Sequence, residues 1–575
     1  MRLVDARRLT GANLLSRRPL VVVEIALDEG EHVARALEVY REELARIRSA
    51  VGLPPEVEPC VREHLGGAVF GYQTPIDTML ASAEMSEWAA TSAAAMLAGG
   101  ARLDPAGKVV EIEAILVRDR NPHILGLQRA SAERSVPFLW DDAATSVGLG
   151  RRSLTWTNDR VPDPTDVPWA AVGRVPVAMV TGTNGKTTTT RLLAQMAREG
   201  GGVVGSTSSD GVVVGAELVE EGDFTGPAGA RMVLRRPDVD VAVLETARGG
   251  ILRRGLAIDH VDVALLTNVS ADHVGGYGVD DVAAMAEVKA VVAHAVLASG
   301  VVVLNARDPN LLALAPRVAG RVVLFADLDA PGPATHTGVA AHLARGGEVV
   351  MARDGAILRA RGGEGETPLL TVADVPITFT GLARYNVENV LGAVAAAPAL
   401  GLDDDAIVRA ARRFDARDNP GRGELFSAAG VNILVDFAHN PEGVRAAMQL
   451  VCALRARTPG ASLTVITGSA GDRRDEDIRD IVRELLAARP DRVLVRELEK
   501  YLRGRAPGEV PETFRRTLVQ QGLPEERFAR VASEVEGLER ALAYAVPGDV
   551  IALLVHVDHS PVRAFLEGVT GGTGG

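Results

Sequence analysis

The chain has 575 residues, room for roughly three or four domains of about 150 residues each. Its composition is 47% hydrophobic but only 4% aromatic, which suits an aliphatic core of α/β layers. A net charge of −13 offers no footprint for nucleic acid or an acidic membrane surface, and two distant cysteines, Cys60 and Cys452, exclude a disulfide framework.

Residues 1 to about 135 read as an α+β unit. Strand-like runs lie at 19–27 and 109–117, and alanine-rich helical patterns at 33–50 and 77–98. No long apolar run follows the N-terminus, so neither a leader nor a membrane span is expected, and the expected location is cytoplasmic. Residues 136–174 are irregular and proline-rich and read as a linker. From 175 to about 400 strands alternate with helices, the strands at 175–180, 241–244, 261–266, 301–304 and 322–325. That rhythm predicts a parallel sheet with its sites at the strands' C-terminal ends. A hairpin-like insertion is expected at 338–376. A second α/β unit begins near 403, with strands at 433–435, 463–467, 492–495 and 550–555, and the glycine tail 571–575 is expected to be flexible. The fold class is α/β: an N-terminal α+β domain (1–160), a central parallel-sheet domain (161–402) and a C-terminal Rossmann-like domain (403–575).

The most informative stretch is Val180-Thr-Gly-Thr-Asn-Gly-Lys-Thr-Thr-Thr-Thr190. An apolar strand enters a glycine turn that opens an amphipathic helix, an order that presents backbone N–H groups and a helix N-terminus to an anion. Gly182, Thr183, Asn184 and Gly185 form the cradle, Lys186 supplies a point charge for the outer phosphates, and Thr187 or Thr188 a hydroxyl for Mg²⁺. Val180 stands where the first glycine of the common phosphate loop belongs, so this is a shorter variant.

Successive strand ends of the same sheet stop on polar residues. Glu245 follows one strand, where a carboxylate can hold Mg²⁺, and Asn268, Asp272 and His273 follow the next. Of the basic residues only four are lysine, Lys108, Lys186, Lys289 and Lys500; arginine is used wherever a solvated charge suffices. Lys289 sits in an apolar helical run, 282–298, where desolvation lowers an amine's pKa. A neutral amine can take up CO₂ as a carbamate, which turns a cation into an oxygen ligand.

Together these residues resemble the Mur ligase superfamily of ATP-dependent amide ligases, from about 175 to 565. The resemblance runs through the phosphate loop, Glu245, the Thr-Asn…Asp-His segment, Lys289, Leu304-Asn-Ala-Arg-Asp, Gly381-Leu-Ala-Arg-Tyr-Asn-Val-Glu-Asn, Pro420-Gly-Arg and Asp436-Phe-Ala-His-Asn-Pro. It implies a P-loop central domain in which Thr187, Glu245, His273 and a carbamylated Lys289 arrange Mg²⁺, with Lys186, Glu245, His273 and Lys289 the catalytic set. Asn305 would face adenine, with Asn268 also at the nucleotide, and Arg422 and Asp436 would reach ATP from the C-terminal domain. Tyr385 departs from the family's usual histidine and stays outside the expected site. Asp210-Gly-Val-Val-Val-Gly, Gly222-Asp-Phe-Thr-Gly-Pro, Glu245-Thr-Ala-Arg-Gly-Gly and Gly471-Asp-Arg-Arg-Asp resemble more narrowly the Mur-ligase half of the cyanophycin synthetases. Leu9-Thr-Gly-Ala-Asn-Leu-Leu-Ser is similar to their first domain. The ATP-grasp domain that lies between the two in those enzymes is reduced here to a stub near 131–150.

The implied reaction joins an amine to a carboxylate through an acyl phosphate, with ATP and Mg²⁺. The expected partners are an amino acid, arginine first, and an aspartyl or other small or peptide acid. Glu497, Glu499 and Glu509 are candidates for holding a guanidinium. The competing reading is an idle ATP-binding regulatory subunit of a separate ATP-grasp or cyanophycin-type enzyme; an unrelated P-loop ATPase is a third. The resemblance favours a homo-oligomer.

Overall fold

The computed structural model describes residues 1–272, 275–330 and 334–570. The N-terminal domain pairs β1 (Arg2–Leu9), β2 (Leu20–Ala26), β3 (Cys60–His64) and β4 (Gly67–Gln73) in the order β1-β2-β4-β3, all antiparallel. The helices α1 (Val33–Ala50), α2 (Met79–Leu97), α3 (Ala106–Asp119) and α4 (Pro122–Glu133) accompany it. The run 109–117, expected as a strand, lies inside α3. Ile112 and Leu116, one helical turn apart, are buried in the core, whereas Val110 and Val117 face solvent, a period of four rather than two. The expected linker also has structure: β5 (Phe138–Trp140), β6 (Ala144–Val147) and β7 (Leu154–Thr157) form a small antiparallel sheet, and Val147, Val167 and Val172 pack with Leu127 of α4.

The central sheet has eleven strands: β8 (Val177–Thr181), β9 (Val204–Ser208), β10 (Gly211–Val214), β11 (Glu217–Glu221), β12 (Val241–Glu245), β13 (Val261–Leu266), β14 (Val296–Asn305), β15 (Arg321–Asp327), β16 (Glu348–Arg353), β17 (Ala356–Arg361) and β18 (Gly365–Thr371). The order β11-β10-β9-β12-β8-β13-β14-β15-β16-β17-β18 sets β8 between β12 and β13, with a parallel interior from β9 to β16 and antiparallel edges. All five residues of β8 are buried, as a strand covered on both faces requires. The helices are α5 (Lys186–Glu199), α6 (Pro227–Leu234), α7 (Arg248–Arg254), α8 (Val282–His294), α9 (Pro309–Leu312), α10 (Ala334–Ala344), α11 (Arg384–Ala396) and α12 (Asp404–Arg413). The run 282–298 is not helical to its end: α8 stops at His294 and β14 begins at Val296. The insertion at 338–376 holds the expected hairpin, yet β16 pairs parallel with β15, so it widens the sheet rather than interrupting it. Helix α12 lies beyond the expected boundary at 402 but buries Ile407, Ala410 and Ala411 with Leu192 and Leu193 of α5. The chain changes sheets at Arg422.

The C-terminal sheet runs β19 (Arg422–Ala428), β20 (Val431–Asp436), β21 (Leu463–Ser469), β22 (Arg492–Glu497), β23 (Phe528–Val531) and β24 (Val550–Leu554) in the order β19-β20-β24-β21-β22-β23. It is flanked by α13 (Pro441–Arg455), α14 (Asp475–Ala487), α15 (Glu509–Gln520), α16 (Glu534–Tyr544) and α17 (His559–Thr570). The glycine tail expected to be flexible lies outside the described residues. No described helix is long and apolar enough to cross a membrane.

Candidate active site

Strand register builds the site. Glu245 pairs with Val180 and Leu266 with Thr181, so β8, β12 and β13 end side by side at the point where the strand order diverges from β8. The loop from β8 to α5 crosses those ends. Gly185, at φ +80, caps α5, and a Cβ there would stand 2.1 Å from Asn389 Oδ1 on α11; only glycine fits. The segment after β13 holds the loop in place. Thr183 N donates to Asn268 O at 2.8 Å, Asn184 N to Asn268 Oδ1 at 2.8 Å, and Thr267 Oγ1 to Asn184 O at 2.6 Å.

Around this loop the polar groups are desolvated. Lys186 Nζ donates to Thr183 O at 2.9 Å, and its pKa is lowered by burial against the pull of Glu245 and Asp272. Thr187 Oγ1 donates to Glu245 Oε2 at 2.9 Å. Burial raises the Glu245 pKa, with Lys186 and Arg422 opposing. Lys289, 3% exposed on α8, donates to Gly182 O at 2.6 Å. Burial first, then the Lys186 charge, holds its pKa well below the ordinary lysine value. A buried amine so placed is readily neutral. His273 lies outside the described residues.

From the other side comes the C-terminal domain. Arg422 stacks over Phe437, 4.2 Å from ring to guanidinium carbon, and donates to Ser209 Oγ at 2.9 Å. Asp436 is pushed up to about 6 by burial, with Arg422 holding it down. Two cavities result. One, of about 510 Å³, lies between the domains and is lined by Asn184–Thr188, Asn268, Arg307, Tyr385, Glu388, Arg422 and Asp436. The other, of about 1090 Å³, lies where the central domain meets the N-terminal domain, with His439, Asp472 and Arg503 of the C-terminal domain at its wall, and includes Lys289, Arg248 and Asp272. Thr183, Lys186, Asp223, Thr225, Ala247 and His439 are in the walls of both.

Residues 180–397 match the Mur ligase middle domain and residues 421–554 the Mur ligase glutamate ligase domain. The UDP-N-acetylmuramoyl-L-alanyl-D-glutamate–2,6-diaminopimelate ligase of Geobacter metallireducens is 30% identical over 66% of this chain and 73% of its own length. This chain belongs to the Mur ligase family. Among further relatives, the cyanophycin synthetases of Crocosphaera subtropica and Synechocystis are each 39% identical, over 71% and 65% of this chain. The match covers 45% and 42% of their lengths, so the chain spans less than half of these relatives.

Within this Mur ligase frame three expectations change. Asn305 does not line the nucleotide-sized cavity: it is buried and spends its amide on Thr267 O and Glu388 Oε2, at 2.9 and 3.0 Å. Tyr385, set aside on sequence, does line it, with a buried hydroxyl that has no hydrogen-bond partner among the described residues. Glu497, Glu499 and Glu509 line neither cavity; Glu497 accepts from Gly508 N at 2.6 Å, and Glu509 pairs with Arg505 at 3.1 Å. Asn440, quoted within Asp436-Phe-Ala-His-Asn-Pro but given no role there, reaches 256 residues back in the chain: its side-chain amide donates to Asn184 Oδ1 across the domains at 2.9 Å.

Proposed function

We propose that the chain is an ATP-dependent carboxylate–amine ligase acting through an acyl phosphate. The observation that carries this reading is the shared wall at Lys186: a nucleotide in the smaller cavity would point its terminal phosphate into the larger one. The larger cavity is then the place of the acid. Its carboxylate oxygen attacks the terminal phosphorus and ADP leaves. An amine attacks the resulting acyl carbon, and phosphate is expelled as the amide forms. Lys186 offsets charge on the phosphoryl group in flight, and the loop amides position it.

The donor set suits a hard cation. Thr187 and Glu245 offer adjacent oxygens, and a magnesium site needs only one or two carboxylates beside the phosphates. Consistent with that sparse requirement, no group of three or more His, Cys, Asp or Glu side chains converges among the described residues. Bound Mg²⁺ supplies charge neutralisation to the phosphates. Lys289, as a carbamate, would add an oxygen ligand; uptake of CO₂ by its neutral amine releases one proton. His439, whose Nε2 lies 3.6 Å from Asp272 Oδ2, faces both cavities and is placed to take the amine's proton.

The amine is an amino acid, arginine first, and the acid an aspartyl or related carboxylate, by kinship with the cyanophycin synthetases. Mass spectrometry of ATP reactions across a panel of amino acids and aspartyl peptides tests it. Amide product with stoichiometric ADP is expected. Tight ATP binding without turnover on any pair would instead favour the idle regulatory subunit.

A further inference from the structure

The larger cavity holds a cation that phosphoryl transfer leaves unused. Arg231, on α6, is 7% exposed, and no carboxylate lies within ion-pairing distance among the described residues. Its Nη2 donates to Thr10 Oγ1 of the N-terminal domain at 2.8 Å, and its Nε is buried with no acceptor among the described residues. Two carboxylates stand nearby, and both are taken. Asp142 accepts a two-pronged pair from Arg8, each at 2.8 Å, and Asp141 accepts from Arg235 at 2.6 Å. Arg254 lines the same wall and makes no side-chain hydrogen bond or ion pair among the described residues.

A guanidinium taken out of water without a counter-charge is destabilising, so its persistence beside a cavity asks for an anion that arrives with a ligand. Burial lowers the Arg231 pKa only to about 10, and it stays a cation at neutral pH. Arg231 is held at Thr10 of the N-terminal domain and Lys186 at Thr183 of the phosphate loop, which sets the two cations at different parts of one cavity wall. Gly226, Gly249 and Gly250 line the cavity as well, leaving side-chain-free wall for an extended ligand.

We propose that the acid substrate is at least a dianion. Its reacting carboxylate lies beside Lys186, and a second oxyanion, carboxylate or phosphate, pairs with Arg231 and Arg254 at the seam with the N-terminal domain. The placing of the first carboxylate rests on the ligase reading; the second subsite does not. Arginine's planar fork matches either oxyanion.

The experiment measures binding first. With Mg²⁺ and ADP saturating the nucleotide cavity, succinate, inorganic phosphate and acetate are titrated calorimetrically into wild type, Arg231→Met and Arg254→Ser. Succinate or phosphate is expected to bind wild type, with affinity falling about tenfold or more in both variants while ADP affinity holds. The stronger of the two probes identifies the oxyanion, and acetate should not distinguish the proteins. Arg254 is exposed, so Arg254→Ser serves if Arg231→Met does not fold. In turnover, KM for diacids should rise by a similar factor with KM for monoacids unmoved. Absence of succinate and phosphate binding to wild type, or equal binding by wild type and variants, overturns the subsite. Loss of diacid binding in the variants without turnover on any acid would retain the subsite and remove the ligase.

Discussion

Lys289 shows what a single side chain is asked to do. It is one of four lysines, and it is buried against a backbone carbonyl rather than a carboxylate. Arginine could not lose its proton there, and a permanent cation beside Lys186 would be repelled. Replacing Lys289 with Ala should lower kcat about a hundredfold or more. Added short carboxylates should restore part of it by filling the space with an oxygen anion. ¹³C-labelled bicarbonate should give a carbamate resonance in wild type that the variant lacks; near-normal kcat in the variant would refute the role. Gly185 makes the complementary case for backbone. Gly185→Ala forces a left-handed residue, worth about 1–2 kcal/mol, and drives a methyl into Asn389. ATP affinity should fall about tenfold or more by calorimetry.

At the level of elements, the phosphate loop was legible because its function belongs to its own backbone: strand, glycine turn and helix are consecutive in the chain. The strand ends carrying Glu245 and Asn268 were legible for the same reason, since continuous apolar runs stop on polar residues. Elements decided by distant packing were not. The apolar residues of 109–117 fit a strand or a helix, and only burial of Ile112 and Leu116 settles α3. Strand β1, Arg-Leu-Val-Asp-Ala-Arg-Arg-Leu, has too many charges to read as a strand, and it forms because β2 offers it an edge. The loop after β24 has a consequence in pH. Burial, with His439 and Arg473 adding to it, brings His556 down to about 3, so it is neutral when folded. Unfolded, it titrates near 6.5. Its contribution is therefore complete above about pH 6.5 and is lost as pH falls toward 3, at about 1.4 kcal/mol per pH unit. Urea midpoints compared between pH 7 and 5 should fall less in His556→Gln than in wild type; equal falls would show that His556 does not sense the change.

Across the whole molecule, the start of α11 packs Ala383, with Phe379, Leu382 and Tyr385 beside it, against the C-terminal core, and polar contacts around the site join the two domains as well. Asn184 and Asn440 exchange side-chain amide bonds at 2.9 and 3.2 Å, and Arg422 Nη2 donates to Ser209 Oγ at 2.9 Å. Asp272 of the central domain pairs with Arg473 of the C-terminal domain at 3.2 Å, both about nine-tenths buried. Contacts of this kind, made at the phosphate loop itself, suit domains that dock around a nucleotide and part to release it. Removing one partner of a buried ion pair costs up to about 3–5 kcal/mol, and less here, because Asp272 keeps His439 at 3.6 Å. Arg473→Ala should therefore shift the domain equilibrium toward an open form rather than unfold either sheet. Small-angle scattering in ADP and Mg²⁺ should give a larger radius of gyration for the variant than for wild type, with an unchanged circular dichroism spectrum. kcat should fall about tenfold or more, since the open form separates Arg422 and Asp436 from the phosphate loop. Wild-type dimensions together with wild-type kcat would mean that Asp272 and Arg473 meet without holding the domains.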